Sequence, residues 1–176
     1  MQLNAADVIH DWWVPALGGK MDMIPGMDNY LWLTIDKPGI YEGACSEFCG
    51  QQHAWMRIRV IAQSPEDYQL WLRDEAAAAE TPADTLARAG AVLFQEATCS
   101  SCHRVRGTGA NGLQGPDLTH FASRQTMLAG MMPNNFANVE NWLTDPQKVK
   151  PGAHMPRFIF TQDSIRALTA YLEQLK

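Results

Sequence analysis

The sequence predicts two domains, an all-β one followed by an all-α one, and three observations predict it. Residues up to Ala62 carry short branched and aromatic runs separated by Gly/Pro turns, the texture of a small sandwich or barrel. At Ser64 the pattern switches to helix and then to a run of alanines. Beyond that run, amphipathic helical patterns flank a long, loop-rich middle. A chain of 176 residues is long enough for one large domain or two small ones.

Taken in order, "NYLWLTI" (29–35) and "MRIRVIA" (56–62) read as strands, the second alternating apolar with basic side chains. Between them "DKPGIYEGA" (36–44) supplies turn chemistry through Pro38 and Gly39. Glycine and proline also punctuate "PALGGKMDMIPGMDN" (15–29). In "SPEDYQLWL" (64–72), Ser64 is placed to cap a helix, Pro65 to occupy its first position, and Glu66 and Asp67 to face the positive end of its dipole. That helix is expected to run into "RDEAAAAE" and stop before "TPAD". Residues 74–83 are therefore the expected linker between domains at 1–73 and 84–176. A short flexible linker would hold the two at an effective concentration on the order of millimolar. "LARAGAVLF" (86–94) and "VENWLTDP" (139–146, ended by Pro146) read as helices. "TQDSIRALTAYLEQLK" closes the chain with Ile165, Leu168, Leu172 and Leu175 on one face.

Composition narrows the function. Hydrophobic residues make up 46% and charged residues 19%, which suits an ordered globular chain. No apolar run approaches the roughly 18–20 residues needed to span a bilayer. "MQLNAADVIH" has no basic stretch followed by an apolar core, so no signal peptide is expected there. Net charge is -5, with 11 acidic and 5 basic residues in 1–75 but 8 and 9 in 76–176. No basic patch with interleaved aromatics appears, which argues against nucleic acid. The acidic first half suits a basic protein partner.

The four cysteines fall in two tight pairs, Cys45/Cys49 and Cys99/Cys102, unlike the spread cysteines of a disulfide scaffold. Cys99, Cys102 and His103 form C-x-x-C-H, a covalent haem attachment motif. The thiols can add across vinyl groups, and the adjacent imidazole is placed to ligate iron. A thioredoxin-like redox pair would need a βαβ setting that this helical context does not offer. The sixth iron ligand must be a thioether or a second imidazole. Candidates are Met127, Met131, Met132, Met155, His120 and His154.

"PGAHMPRF" and "GPDL" resemble the corresponding stretches of class I cytochromes c. That resemblance implies Met155 as the axial ligand and the Pro116 carbonyl as acceptor from the proximal histidine. It leaves "GMMP" as core or loop filler, and His120 and His154 at the surface or behind the ligands. It also implies Arg124 and Trp142 near the haem propionates, with packing roles equally open.

"CSEFCGQQHAWM" (45–56) places Cys45, Cys49, His53 and Met56 at gaps of four, four and three. A mononuclear blue-copper site needs one thiolate, two imidazoles and a weak axial thioether. Cys49, His53 and Met56, with His10 arriving from an earlier loop, would fill it and leave Cys45 surplus. Two thiolates can instead bridge two copper ions, each also seeing one imidazole and one weak axial group. Met56 serves one ion, and a backbone carbonyl between the cysteines the other.

"DVIHDWWVPALGGKMDMIPG" followed by "YEGACSEFCGQQHAWM" is similar to the dinuclear copper A domain of cytochrome c oxidase subunit II, a cupredoxin-like fold. The matching ligand positions are His10, Cys45, the Glu47 main-chain oxygen, Cys49, His53 and Met56. The family resemblance further implies that the Glu47 side chain faces a magnesium site at the boundary with the catalytic subunit. A cytochrome c domain fused behind the copper domain is the arrangement of the caa3-type oxidases. The resemblance implies electron relay from a cytochrome c-type donor through haem c and copper A to subunit I, with no oxygen-reducing centre in this chain. It implies a periplasmic position outside the bacterial inner membrane. It also leads us to expect further β-strands and a transmembrane hairpin before "DVIH", so that the copper half reads as a barrel lacking its first strands. Trp12 and Trp13 flank a ligand, and core packing is expected for at least one. Nitrous oxide reductase shares the C-x3-C-x3-H-x2-M spacing, but "KMDMIPG" and "CSEFCG" favour the oxidase. A thioredoxin-like copper chaperone has its histidine far downstream of C-x3-C, unlike His53. A free-standing electron carrier is the remaining alternative.

Overall fold

The computed structural model describes residues 1–176, which divide into two compact units. One comprises Met1–Trp71 with Leu128–Met131, the other Leu72–Met127 with Met132–Lys176.

The first unit is built from six strands. They are β1 (Gln2–Leu3), β2 (His10–Trp13), β3 (Met21–Met23), β4 (Asn29–Tyr30), β5 (Gly39–Cys45) and β6 (Arg57–Ala62). An antiparallel sheet runs β3-β2-β5-β6, and β1 pairs separately with β4. Its apolar core gathers Leu3, Trp12 and Val14, with Leu31, Leu33, Ile58 and Val60 packed against them. Trp12 is buried, whereas Trp13 is half-buried and carries the Lys20 ammonium 4.5 Å above its ring. Cross-strand register makes chemical sense: Glu42 opposes Arg59, and the two pair at 3.3 Å.

Two strand expectations change. Of "NYLWLTI" only Asn29–Tyr30 is laddered, and pairing ends where Leu31 N donates to Met1 O at 2.9 Å. The alternation is real, because Leu31 and Leu33 pack on the core while Trp32 is 84% exposed. Periodicity reports burial, and a strand also needs a partner of its own length. Conversely, "DKPGIYEGA" turns only at its start, where the Tyr41 hydroxyl donates to Lys37 O at 2.7 Å. From Gly39 onward it is β5, the strand that ends in Cys45.

Helix α1 (Pro65–Ala76) follows β6, with Ser64 Oγ accepting from Asp67 N at 3.1 Å as the capping chemistry requires. The second unit is helical: α2 (Thr85–Glu96), α3 (Cys99–Cys102), α4 (Phe136–Thr144), α5 (Pro146–Val149) and α6 (Gln162–Leu172), with a small β7–β8 pair at Thr126–Met127 and Met132–Pro133. The face of α6 predicted from periodicity is the buried one: Ile165, Leu168, Leu172 and Leu175 are all inaccessible. Pro146 starts a helix as well as following one, because Asp145 caps α5 by accepting from Lys148 N at 3.1 Å.

Helices α2 and α6 meet at Gly90, where a β-carbon would lie 1.9 Å from the Ala167 carbonyl oxygen. Nearby, the Phe94 and Tyr171 rings pack edge to face at 5.4 Å. Gly90→Ala must therefore push the helices apart. We expect a loss of about 1–3 kcal/mol from overpacking, read as a lowered denaturation midpoint.

The expected linker is helical as far as Ala76, and the rest lies fastened to the second unit. Ala79 N donates to Arg106 O at 3.0 Å, and Ala83 N donates to Gln174 Oε1 at 2.9 Å. The Arg106 guanidinium donates to Glu75 O. His120, expected at the surface or behind the ligands, is buried, with Nε2 3.2 Å from Ala77 O. Alanine's small side chain lets its backbone come close enough to a neighbour to be bonded. A low-complexity stretch is therefore not by itself a free tether.

Candidate functional site

Two constellations stand out, one in each unit. In the first, the β2–β5 register sets Trp12 opposite Cys45, which brings the end of β5 beside His10 at the start of β2. The chain then turns through residues 46–52 into a short 3-10 helix, His53–Trp55. It returns so that Cys45 N donates to Met56 O at 3.0 Å. Ser46 N donates to Asp11 O at 3.3 Å, and its hydroxyl donates to the buried Asp11 carboxylate. Burial pushes the Asp11 carboxyl up.

These bonds gather soft donors. His10, Cys45 and Cys49 offer ligand atoms that all lie within 4.8 Å of one another. The two sulfurs are 3.7 Å apart, and both cysteines are free thiols. Cys45 Sγ lies 3.2 Å from the Glu47 carbonyl oxygen and 4.0 Å from His10 Nδ1. Cys49 Sγ lies 3.6 Å from His53 Nδ1. Burial pushes the Cys45 thiol up, but backbone hydrogen bonding at Asp11 and Glu47 and the His53 and His10 rings outweigh it and bring it down to about 7. Cys49 goes the other way, raised to about 11 by burial and by the neighbouring Cys45 sulfur. Of the two, Cys45 is therefore the sulfur that gives up its proton more readily.

Asp7, which the sequence did not single out, accepts from His10 Nε2 at 2.8 Å. Burial disfavours protonated His10, but Asp7 and Cys45 together outweigh it and raise the imidazole. The bond also leaves Nδ1 as the atom turned toward sulfur. The Asp–x–x–His spacing was the available signal, since a bend at residues 6–8 can bring the carboxylate back onto the ring.

In the second unit, α3 carries Cys99 and Cys102, and His103 N donates to Cys99 O at 2.9 Å. The His103 ring is held through Nδ1, 2.8 Å from Pro116 O. Nε2 is left as its available donor atom. Gly115 lies against this ring: a β-carbon there would sit 2.5 Å from His103 Cε1 and 2.7 Å from Nδ1. Gly115→Ala should turn the imidazole off Pro116. The expected readout is a changed axial-ligand spectrum in haem-loaded protein, with far-ultraviolet circular dichroism unaltered. Burial raises the Cys99 thiol.

Among the sixth-ligand candidates, Met127 is buried in β7, Met131 and Met132 are half-buried, and His154 is exposed. His120 is committed to Ala77 O. Met155 is half-buried in the loop between α5 and α6. Arg124 donates to Asp117 O at 2.5 Å, and Trp142 is half-buried on α4.

Residues 1–63 match the family described as cytochrome c oxidase subunit II, periplasmic domain, and residues 87–176 match cytochrome c. The cytochrome c oxidase subunit 2 of Alkalihalophilus pseudofirmus is 43% identical over 176 residues, 99% of this chain and 51% of the relative. That of Bacillus sp. strain PS3 is 34% identical over 186 residues, covering 99% of this chain and 52% of the relative. The solved periplasmic domain of subunit II of cytochrome oxidase of Bradyrhizobium japonicum is 40% identical and covers 41% of this chain and 52% of that one, with a TM-score of 0.40. The chain spans about half the length of the curated relatives it matches. No helix is long and apolar enough to cross a membrane. Over its second half the chain belongs to the cytochrome c family, and over its first to the family of the periplasmic domain of cytochrome c oxidase subunit II.

Proposed function

We propose that the chain relays electrons, taking them from a cytochrome c-type donor at its haem half and delivering them from its copper half to the oxygen-reducing subunit I of a haem-copper oxidase. Family membership implies both haem and copper. The observation that carries the reading is the pair of unbridged thiols 3.7 Å apart, flanked by two imidazoles and a carbonyl oxygen, in a chain that also holds C-x-x-C-H. When bound, the metal centres supply the one-electron chemistry.

The residues present fit both groups. For copper, His10, Cys45, the Glu47 carbonyl, Cys49, His53 and Met56 are the proposed holders of a dinuclear centre within a module at 1–73. Soft sulfur with imidazole is the donor chemistry that copper selects. Asp7 orients one imidazole from behind, as carboxylates behind ligating histidines do. For haem, Cys99 and Cys102 would form thioethers, and His103 and Met155 would hold the iron, within a module at 84–176. Pro116 O fixes the His103 ring with Nε2 free. The Gly115 cradle has room for that ring and nothing larger than hydrogen beneath it. The Glu47 carboxylate is the proposed magnesium contact at the subunit boundary, and the working position is the periplasmic side of the bacterial inner membrane.

The test is association. Expressed together with subunit I, this chain should co-purify with it and support oxygen uptake from reduced cytochrome c. A protein carrying both centres that does neither would instead be a free-standing carrier.

A further inference from the structure

The geometry points to Gln147 as the residue that positions Met155. This rests on the reading of Met155 as an iron ligand. A primary amide has two N–H donors and one carbonyl acceptor, and Gln147 places all three polar sites on one loop. Its Nε2 donates to Ala153 O at 2.8 Å and to Met155 O at 2.9 Å. Its Oε1 accepts from Gly152 N at 3.2 Å. The backbone is thereby pinned at Gly152, Ala153 and Met155.

The mount is rigid. Gln147 lies on the four-residue helix α5, whose first residue, Pro146, is buried and whose cap is Asp145. Lys150 N donates to Pro146 O at 2.8 Å, and Ala153 N donates to Lys150 O at 3.1 Å. Arg157, just past the methionine, pairs with Asp145 at 3.6 Å and closes the loop onto the start of α5. No other amino acid matches the amide's reach and polarity. Glutamate keeps the acceptor and loses both donors, leucine loses all three, and asparagine is one methylene short.

Gln147 is a positioning residue that acts through Met155, holding the thioether loop in its ligating conformation. Removing it should let the loop open more often. An exogenous ligand that competes for the same side of the iron then binds more tightly, in proportion to the open fraction.

The experiment uses the full chain loaded with haem and copper and fully oxidised. Imidazole is titrated in while the far-red methionine-to-iron charge-transfer absorption is followed. Gln147→Leu and Gln147→Glu should each lower the apparent imidazole dissociation constant about tenfold, on the scale of the lost hydrogen bonds. Both substitutions lie at an exposed side chain, so the fold should persist. A dissociation constant within about twofold of the unaltered protein in both variants overturns the assignment. Met155→Ala separates the two readings. If the absorption survives in Met155→Ala, Met155 is not the ligand and the underlying reading fails, whatever Gln147 does.

Discussion

Replacing Cys45 by serine should leave about one copper ion per chain, or none, where the proposed site holds two. Cys45 is the buried end of β5, its backbone N–H is spent on Met56 O, and its sulfur sits nearest the Glu47 carbonyl, Cys49 and His10. A serine hydroxyl fits the space. It stays protonated at neutral pH, is a hard donor, and cannot bridge two soft ions as a thiolate does. The remaining donors are Cys49, His53, His10 and Met56, the complement of a mononuclear site. Copper-to-protein stoichiometry by atomic absorption checks the result directly. Two ions retained in Cys45→Ser would show that the second thiol is not a bridge. The fold should survive, because the hydrogen bonds that shape the loop run through backbone atoms and through Ser46 and Asp11.

His103→Ala separates attachment from ligation. Cys99 and Cys102 remain on α3, so the haem should stay covalently bound and visible on a denaturing gel by peroxidase staining. The iron, however, loses the imidazole that Pro116 O orients. The low-spin absorption spectrum should give way to a high-spin one, and the reduction potential should move, since axial ligands set it. Losing that link should also lower the melting temperature of the haem half by roughly 10 °C, the shift expected for about 2–3 kcal/mol in a domain of this size. An unchanged spectrum would mean that another side chain holds the iron.

What was legible in the sequence follows from what chemistry constrains. Metal and haem chemistry demands particular atoms at short, fixed spacings, so Cys45, Cys49 and His53 and the Cys99–His103 motif read directly. Helix α6 read directly too, because its 3.6-residue period is set by burial alone. What gathers the donors was less legible. His10 reaches the thiols through strand register, which no local pattern encodes. Asp7 and Gln147 work through hydrogen bonds to a ring and to backbone, and a carboxylate or an amide in a loop looks like ordinary polarity. The same holds along residues 75–83, where Arg106, His120 and Gln174 reach across from distant positions to bond the backbone. Trp32 and its neighbours alternate like a strand, yet ladder formation depended on a partner that β1, two residues long, does not extend far enough to be.

In the proposed site, two thiols and two imidazoles hold a pair of coppers that share their electrons. The most direct measurement is the electron paramagnetic resonance spectrum of the full chain loaded with copper and haem and partly oxidised. Hyperfine structure from one unpaired electron spread equally over two copper nuclei is expected. A pattern from a single copper nucleus, or no bound copper, would contradict it.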